Sequence, residues 1–328
     1  MTTEATDWRP GASLDVLQLR AEMLSDIRDF FRRRRVMEVT TPLMSAAGAT
    51  EPNLESYRVL PPHASGPHSY LQTSPEFPMK RLLAAGAGSI YQICPVFRCG
   101  ESGSRHNPEF TMIEWYRPGL DLDQLMIELI DLLAALLPKH RMRGPAVRIP
   151  YQDLFKTHFG LDPLSASGAE LQACARERGL GTVAGLDATD RDAWLDLLIS
   201  HCIEPHLDSS IPTFVHGYPA SQAALACLDP DDPRLARRFE LYLGGMELAN
   251  GYHELADANE LAARFARDNG TRRKRGLSPV PVDLRLLAAV SDGLPDCVGV
   301  ALGFDRLVML AADLETVDQA MAFSMPRA

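Results

Sequence analysis

The chain of 328 residues is 46% hydrophobic and 23% charged, which is the balance of an ordinary globular protein that can bury a substantial core. Its net charge of −10 excludes the overall positive field of a typical nucleic-acid-binding protein and leaves room only for local basic patches. Arginine-rich runs at residues 32–35 and 272–275 are either solvated surface or contacts for a partner.

The six cysteines form no C-x-x-C pair and no zinc-ligand spacing, so we expect buried, reduced thiols. The polar start MTTEATDWRP lacks the apolar core of a signal peptide. No apolar run reaches the roughly 18 to 20 residues that span a bilayer. The sequence therefore predicts a cytoplasmic protein without a membrane contact.

The first half of the chain alternates clear helix and strand patterns. Ser13 can cap a helix that ends in the first arginine run. VMEVTTPLM is predicted as a strand leading into Pro42, and ESYRVL and HSYLQTS as short strands. Ser74 and Pro75 then open a helix in PEFPMKRLLAAG. SIYQICPVFR and EFTMIEWYR are predicted strands joined by a polar loop, and DLDQLMIELIDLLAALL is a predicted helix.

The second half is less regular. Residues 141–190 are weakly patterned, and we interpret them as an insertion. RDAWLDLLISHCIEPHL is predicted as one helix, and CVGVALGFDRLVMLAADL as a strand, a glycine turn and a helix. Because the strands pair like hairpins and rarely alternate one for one with helices, we expect an α+β fold with an antiparallel sheet flanked by helices. A single catalytic domain over residues 1–328 is expected.

One stretch, RFELYLGGMELANGYHEL, spaces Glu240, Glu247 and Glu254 seven residues apart with glycines between them. Gly-Gly predicts a two-residue hairpin that pairs Leu243 with Met246 and Tyr242 with Glu247. Glu240 and Glu247 then become diagonal neighbours on one face, roughly 7 Å apart. Asn250-Gly251 is predicted to turn the chain again and bring Glu254 beside Glu247.

Crowded carboxylates raise one another's pKa, and a cation relieves that repulsion. Magnesium commonly uses one or two carboxylates together with substrate phosphates. The hairpin therefore predicts a magnesium–phosphate site beside an acidic pocket for a cationic substrate group. The alternative is three exposed glutamates on a solvated sheet face.

Two further segments carry arginines where a guanidinium needs an anion. In FRCGESGSRHNPEFTMIEWY, Arg98 ends an apolar strand, and either a bidentate carboxylate or phosphate or a surface ion pair would satisfy it. In GVALGFDRLVML, Arg306 lies in the first turn of a helix, where a cation is unfavourable unless an anion is present. Asp305 could supply that anion instead of a triphosphate.

These segments, in this order, resemble the three signature motifs of class II aminoacyl-tRNA synthetases. FRRRRVMEVTTPLM with Pro42 looks like motif 1, FRCGESGSRHNPEFTMIEWY like motif 2, and GVALGFDRLVML like motif 3. TSPEFPMKRLL, RHNPEFTMIEWY and FELYLGGMELANGYHEL are similar to the lysyl-tRNA synthetase catalytic core. The similarity begins at about residue 13, and no anticodon-binding domain is expected.

The resemblance implies roles for particular residues. Arg98 would bridge the α-phosphate and the substrate carboxylate, and Arg306 would contact the γ-phosphate; both are expected to be catalytic. The implied ATP site comprises Arg98, Cys99, Gly100, Glu101, His106, Asn107, Phe110, Glu247, Leu248, Gly303 and Arg306. The implied amino-acid pocket comprises Ser74, Pro75, Glu76, Glu114, Tyr116, Asn250, Glu254 and Ala301. Glu240 and Glu247 are expected to hold Mg²⁺ on ATP.

The chain departs from the family pattern at one position, because Gly100 stands where the family has a glutamate and Glu101 follows it. Either Glu101 substitutes, or backbone groups near Gly100 bind adenine. Without an anticodon domain, and with Ala301 where lysyl-tRNA synthetases have glycine, the chain looks like the truncated paralogues that transfer lysine, preferably (R)-β-lysine, to elongation factor P. A homodimer through motif 1 is implied, and no tRNA partner is expected.

Two rival functions remain from the sequence. The first is a compact lysyl-tRNA synthetase that charges tRNA, which the acidity and the missing domain disfavour. The second is a synthetase-like regulator that binds lysine without catalysis. Such a regulator should lose the arginines or the metal carboxylates, and this chain has both sets.

Overall fold

The computed structural model describes residues 8–61, 67–180, 186–187 and 190–328. The helices are α1 (Leu14–Arg33), α2 (Glu76–Ala84), α3 (Leu122–Leu136), α4 (Tyr151–Phe159), α5 (Gly168–Glu177), α6 (Arg191–Leu198), α7 (Ala258–Lys274), α8 (Leu284–Gly293) and α9 (Phe304–Ala312). The strands are β1 (Met37–Glu38), β2 (Met44–Ser45), β3 (Arg58–Val59), β4 (Ser69–Leu71), β5 (Ile90–Phe97), β6 (Glu109–Pro118), β7 (Val147–Pro150), β8 (Thr213–Pro219), β9 (Leu235–Leu243), β10 (Met246–His253) and β11 (Cys297–Gly303).

The chain divides into two compact units, Met1–Pro138 with Glu254–Ala328, and Lys139–His253. In the first unit the strand order is β1-β5-β6-β11, and the pairs are antiparallel except for β1 with β5. A small antiparallel sheet of β2, β4 and β3 belongs to the same unit. Helix α1 buries Phe31, which stacks on Tyr91 at 4.3 Å and meets Trp115 edge-on. These contacts fix α1 against the face of the sheet that carries β5 and β6.

In the second unit the strand order is β7-β8-β9-β10, antiparallel except for β7 with β8. Its core is aromatic, with Tyr151 stacked on Phe155 and tilted against Tyr218, and with Trp194 buried beside them. The two units thus confirm the predicted α+β class and the largely antiparallel pairing. The prediction of one catalytic domain with an insertion over 141–190 stays a prediction.

Several local predictions are wrong in detail. VMEVTTPLM forms only the two-residue strands β1 and β2. The predicted long helix after residue 190 ends as α6, and a π-helical turn at Ile199–Ile203 follows it. Residues 141–190 contain β7, α4 and α5, although residues 181–185 and 188–189 lie outside the described part. The start of the chain, residues 1–7, lies outside it as well.

Two predictions about side-chain burial also need correction. Cys99 is exposed, whereas Cys94, Cys174 and Cys297 are buried as expected. Arg272, in the second basic run, is fully buried and bonds Glu55 and the backbone oxygen of Ser278. That arginine therefore ties α7 to the loop before β3 and to the segment that follows the helix, instead of facing solvent. Within the described ranges, no helix has the length and apolarity needed to cross a membrane.

Candidate active site

A buried polar cluster lies in the first unit where α2 faces β6. The hydroxyl of Ser74 donates to one oxygen of Glu114 at 2.7 Å, and the phenol of Tyr116 donates to the other at 2.6 Å. Glu114 and Tyr116 are two residues apart on β6, so both side chains project from the same face. Ser74 also accepts from the backbone N–H of Glu76, while Pro75 is the residue that precedes α2. The side chains of three predicted pocket residues, Ser74, Glu114 and Tyr116, thus meet.

Lys80 joins two more predicted residues to this cluster. Its ammonium nitrogen lies 2.6 Å from Oε1 of Glu76 and 2.6 Å from Oε2 of Glu254. Glu76 is four residues before Lys80 on α2, the spacing at which helical side chains meet. Both Lys80 and Glu254 are buried. Lys80 was not among the predicted site residues, although the E-x-x-x-K spacing in PEFPMK indicates an ion pair between Glu76 and Lys80 on one helix face.

Burial dominates the electrostatics of this pocket, which we call the acidic pocket and define as Glu76, Lys80, Glu114, Tyr116 and Glu254. Burial and the nearby charge of Glu76 raise the pKa of Glu114 to about 7. Burial also raises the pKa of Glu254 above its usual range, although the adjacent ammonium of Lys80 opposes that rise. The pKa of Tyr116 is raised by burial and by the three carboxyl groups, so its phenol stays a donor. Ionising all three carboxyl groups in the pocket is therefore unfavourable, because burial removes them from water.

Strand β11 lies beside β6 and contacts the acidic pocket at Gly299. Gly299 pairs with Tyr116 and Ala301 pairs with Glu114 in the β6–β11 ladder. A Cβ atom at Gly299 would lie 2.5 Å from Oε1 of Glu254 and 2.5 Å from the Tyr116 ring. Glycine is thus needed at this position for Glu254 and Tyr116 to lie where they do. Ala301 is partly buried and packs against the apolar cluster of Cys94, Val96 and Met112. It lies directly across from Glu114 in the β6–β11 ladder.

The predicted ATP loop connects β5 to β6. The guanidinium of Arg98 lies over the Phe110 ring at 5.1 Å and 3.6 Å from a carboxylate oxygen of Glu101. Gly100 has φ of +85°, a left-handed conformation that glycine adopts without strain. A side chain at Gly100 is therefore disfavoured, and Glu101 is the acidic residue beside Arg98. Cys99, between them, is exposed.

Two other loop residues are held by the protein itself. Asn107 is buried, and its side-chain amide donates to the backbone oxygen of Glu109 and accepts from the N–H of Met325. His106 contacts the guanidinium of Arg306 at 2.7 Å through Nε2. Partial burial and then the charge of Arg306 lower the pKa of His106. The structure thus brings His106 and Arg306 together.

Arg306 projects from the first turn of α9, whose N-cap is Gly303. Asp305, the neighbour that could have explained this arginine, points elsewhere: it is buried, bonds Arg20 and accepts from the N–H of Thr111. Arg20 thereby ties α1 to α9. Besides His106, Arg306 bonds the backbone oxygen of Arg105.

The second unit contains the hairpin carboxylates. Strands β9 and β10 pair Leu243 with Met246 and Tyr242 with Glu247, which confirms the predicted register. Gly244 and Gly245 both have positive φ, as the tightest hairpin turn requires. A bulge between Glu247 and Ala249, at buried Leu248, then shifts the register by one residue. Because of this shift, Asn250 lies directly opposite Glu240 and shares its face with Glu247.

The predicted turn at Asn250-Gly251 is wrong. Both residues lie inside β10, and Gly251 pairs with Phe239. A Cβ atom at Gly251 would collide with the Phe239 ring. The glycine therefore permits ring packing within the sheet, and Glu254 follows β10 without a second hairpin. An Asn-Gly pair predicts a turn from local preference alone, and tertiary packing overrides it here.

Glu240 is enclosed by donors. Tyr218 and Tyr242 donate to one of its oxygens at 2.6 Å and 2.5 Å, and Arg238 bonds the other at 2.5 Å. The amide of Asn250 also bonds Glu240, at 3.4 Å, and accepts from Arg238. These interactions fix the position of the Glu240 carboxylate. The arginine and the two tyrosines were missed from the sequence, and RFELY held the signal for two of them.

Two carboxylates on one face have the donor chemistry that magnesium prefers. Glu247 is partly exposed, whereas Glu240 is buried and would exchange a hydrogen bond for the ion. The residues therefore fit the ion, with Glu247 as the more accessible ligand. Among the residues described, no group of three or more His, Cys, Asp and Glu side chains is placed to hold a metal by itself.

The fold and these polar clusters define a class II synthetase core, and sequence comparison agrees. The chain belongs to the family of class II tRNA synthetases (D, K and N), whose model matches residues 1–327. It is 49% identical over 323 residues to the elongation factor P–(R)-β-lysine ligase of Vibrio vulnificus, covering 98% of both chains.

Two further relatives carry the same name. The chain is 50% identical over 324 residues to the ligase of Pseudoalteromonas translucida, again covering 98% of each chain. It is 47% identical over 329 residues to that of Klebsiella pneumoniae, covering 99% of this chain and 100% of the relative. The predicted family membership is thereby confirmed.

Proposed function

We propose that this protein is a ligase that uses ATP to activate (R)-β-lysine as an aminoacyl-adenylate and transfers the lysyl group to a lysine side chain of elongation factor P. The names of its full-length relatives support this reaction. The observation that carries the choice of substrate is the acidic pocket. It contains three carboxyl groups and one ammonium, that of Lys80, which contacts Glu76 and Glu254, so it favours an amino acid with an additional cation over aspartate or asparagine.

The first step requires charge neutralisation more than proton transfer. A carboxylate oxygen of the amino acid attacks the α-phosphorus of ATP, and the bond from that phosphorus to the pyrophosphate oxygen breaks. Arg98 is proposed to pair with the attacking carboxylate and the α-phosphate, and Arg306 with the γ-phosphate. Preorganised guanidinium groups stabilise the charge that develops in such a step without reorganising. The contact of Arg306 with His106 supports this role, because it holds the guanidinium over the loop.

The second step moves the acyl group. The ε-amine of the acceptor lysine attacks the acyl carbon of the adenylate, the carbon–oxygen bond to AMP breaks, and the amine loses a proton as the amide forms. The amino-acid pocket of Ser74, Glu76, Glu114, Tyr116 and Glu254, with Ala301, is proposed to hold the lysyl group meanwhile. Because this pocket is buried, it keeps water away from the aminoacyl-adenylate.

Magnesium would be held by Glu240 and Glu247 and would offset phosphate charge when bound. The proposed task of the protein is to fix the Glu240 carboxylate through Tyr218, Tyr242 and Arg238, so that one ligand of the ion is held in position. Adenine would lie against Phe110 on β6, with Glu101 of the preceding loop in place of the glutamate missing at Gly100.

The oligomer and location are also part of the proposal. Met37, Leu43 and Met44, in the segment that resembles motif 1, are exposed apolar side chains. An exposed apolar patch of this kind fits a protein–protein contact, and we propose a cytoplasmic homodimer formed through it.

The test of the activation step is amino-acid-dependent exchange of pyrophosphate into ATP. The purified chain is given ATP, magnesium and one of (R)-β-lysine, α-lysine, aspartate or asparagine. Exchange with either lysine isomer, strongest for (R)-β-lysine, and none with aspartate or asparagine is expected. Exchange supported by aspartate or asparagine and not by lysine would overturn the assignment.

A further inference from the structure

The buried ammonium of Lys80 has no place in the reaction described above. The contacts of its ammonium are with Glu76 and Glu254, and the reaction as described assigns it no task. A lysine buried to this degree is costly unless its charge is compensated, and two carboxylates compensate it here. Lys80 lies between Glu76 and Glu254, both proposed to bind the substrate, so we asked how it acts on them.

The charge of the acidic pocket gives that role a direction. Three carboxylates and one ammonium leave a net charge of −2 when every carboxyl is ionised. A lysine isomer carries two ammonium groups, so its binding would make the pocket neutral. Without Lys80 the same pocket would hold three uncompensated carboxylates, and burial would force protons onto them.

The acidic pocket also has room for a further donor. Oε2 of Glu254 is buried and lies 2.6 Å from the Lys80 ammonium nitrogen, which pairs the two charges. A carboxylate oxygen has two lone pairs, so Oε2 can accept from a second donor besides Lys80. An ammonium group of the substrate is the donor that fits.

We propose that Lys80 is a positioning residue that holds the carboxylates of Glu76 and Glu254 in place through its two ion pairs, so that the acidic pocket selects amino acids with two ammonium groups. This inference rests on the proposed function. Lys80 acts through the two glutamates and touches no reacting atom.

Other groups around the pocket do not replace Lys80. The titratable neighbours of Glu254 are Glu76 and Lys80 on α2, Glu114 on β6 and Cys297 on β11, with Tyr116 close by. Burial raises the pKa of Cys297, which keeps the thiol neutral. Among these groups, Lys80 is the one that carries positive charge. Its removal should therefore raise the pKa of Glu254 further, because the charge that opposes the rise is lost.

The test uses Lys80→Gln, which is one atom shorter, keeps a hydrogen-bond donor and removes the charge, and Arg81→Gln as its matched control. Arg81 is the next residue on α2 and is exposed. Lysine binding is measured by calorimetry without ATP from pH 6 to pH 9, and exchange kinetics are measured in parallel. For Lys80→Gln we expect binding at pH 7.5 to weaken by about tenfold or more and the pH of half-maximal affinity to rise by about one unit. The control should match the wild type.

The kinetic constants separate this role from a purely structural one. KM for lysine should rise in Lys80→Gln while kcat changes less than about threefold, because Lys80 does not touch the transferred groups. An unchanged pH midpoint, or a loss of kcat with KM unchanged, would overturn the proposal. If Lys80→Gln does not fold, Lys80→Arg carries the test: it keeps the charge, so the wild-type midpoint is expected, and a midpoint moved by a unit contradicts the inference.

Failure of the proposed function would look different. A wild-type chain that binds lysine but gives no exchange would refute the reaction, while the calorimetric comparison of Lys80→Gln with Arg81→Gln would still decide the role of Lys80. A wild-type chain that exchanges with lysine, together with a Lys80→Gln variant that binds like the control, would refute only the inference.

Discussion

The ammonium nitrogen of Lys80 lies 2.6 Å from a carboxylate oxygen of Glu254, and both side chains are buried. Removing one partner of a buried ion pair leaves an uncompensated charge, which is more costly than the pair itself. Such a pair with a further carboxylate, Glu114, nearby is therefore sensitive to anything that adds or removes a charge. Proton concentration and substrate binding are the two ordinary changes of that kind.

Lysine affinity should depend on pH near neutrality. Burial raises the pKa of Glu114 to about 7 and raises that of Glu254. A protonated carboxyl cannot neutralise an ammonium, so binding should be weak below pH 7 and should strengthen as pH rises through 7. Because the bound cation lowers the carboxyl pKa, protons should be released on binding. Calorimetry in two buffers of different ionisation enthalpy measures both effects, and an affinity independent of pH from 6 to 8.5 would argue against this pocket.

Gly299 should be intolerant of a side chain. In Gly299→Ala the added methyl group would press on Glu254 and Tyr116, so lysine KM should rise by about tenfold or more and stability should fall by about 1–3 kcal/mol. The matched control is Gly270→Ala on α7, where a Cβ meets nothing within 4 Å. That control should leave KM unchanged and stabilise the helix by up to about 1 kcal/mol. Equal KM values for the two variants would contradict the packing described here.

Glu247→Ala should abolish pyrophosphate exchange across a magnesium titration, with a loss of about 100-fold or more if the carboxylate holds the ion. Glu177→Ala, an exposed glutamate in the same unit, is the control and should keep wild-type exchange. Thermal melting of both variants should match the wild type, because Glu247 is partly exposed. Exchange retained by Glu247→Ala would show that the metal assignment is wrong.

The contact of Arg306 with His106 should be visible without any substrate. Partial burial and, second, the guanidinium lower the pKa of His106, so the ring is neutral at pH 7. In Arg306→Gln the pKa should move up towards the ordinary value of about 6.5. Titration of the histidine ring by NMR measures this, with Arg81→Gln as the control that leaves it unchanged. A His106 pKa equal in wild type and Arg306→Gln would mean that the two side chains do not meet in solution.

Much of the fold followed from local patterns. The apolar stripe of α1, the strands β5 and β6, and the β11–α9 junction at Gly303 lie where periodicity and capping residues placed them. The hairpin register at Gly244-Gly245 was also predicted, because two glycines specify the turn and alternation specifies the faces. These features depend on neighbours in sequence, which is the information that a single chain carries most directly.

The errors and omissions involve contacts between distant residues. The bulge after Glu247 and the packing of Phe239 on Gly251 are decided across the sheet, and no local preference indicates them. Lys80 resembled an ordinary helix-surface lysine until Glu254, far along the chain, was seen beside it. Arg272 was similarly hidden in a basic run, although its partner is Glu55. Position in the fold, more than residue type, determined which charged side chains are buried.

The measurement that tests the central claim most directly is the identity of the acceptor. The purified chain is incubated with ATP, magnesium and labelled (R)-β-lysine, and then offered either unmodified elongation factor P or tRNA specific for lysine. We predict stable label on one lysine side chain of the protein, a mass increase of one lysyl group, and none on the tRNA. Label on the tRNA with none on elongation factor P would contradict the account.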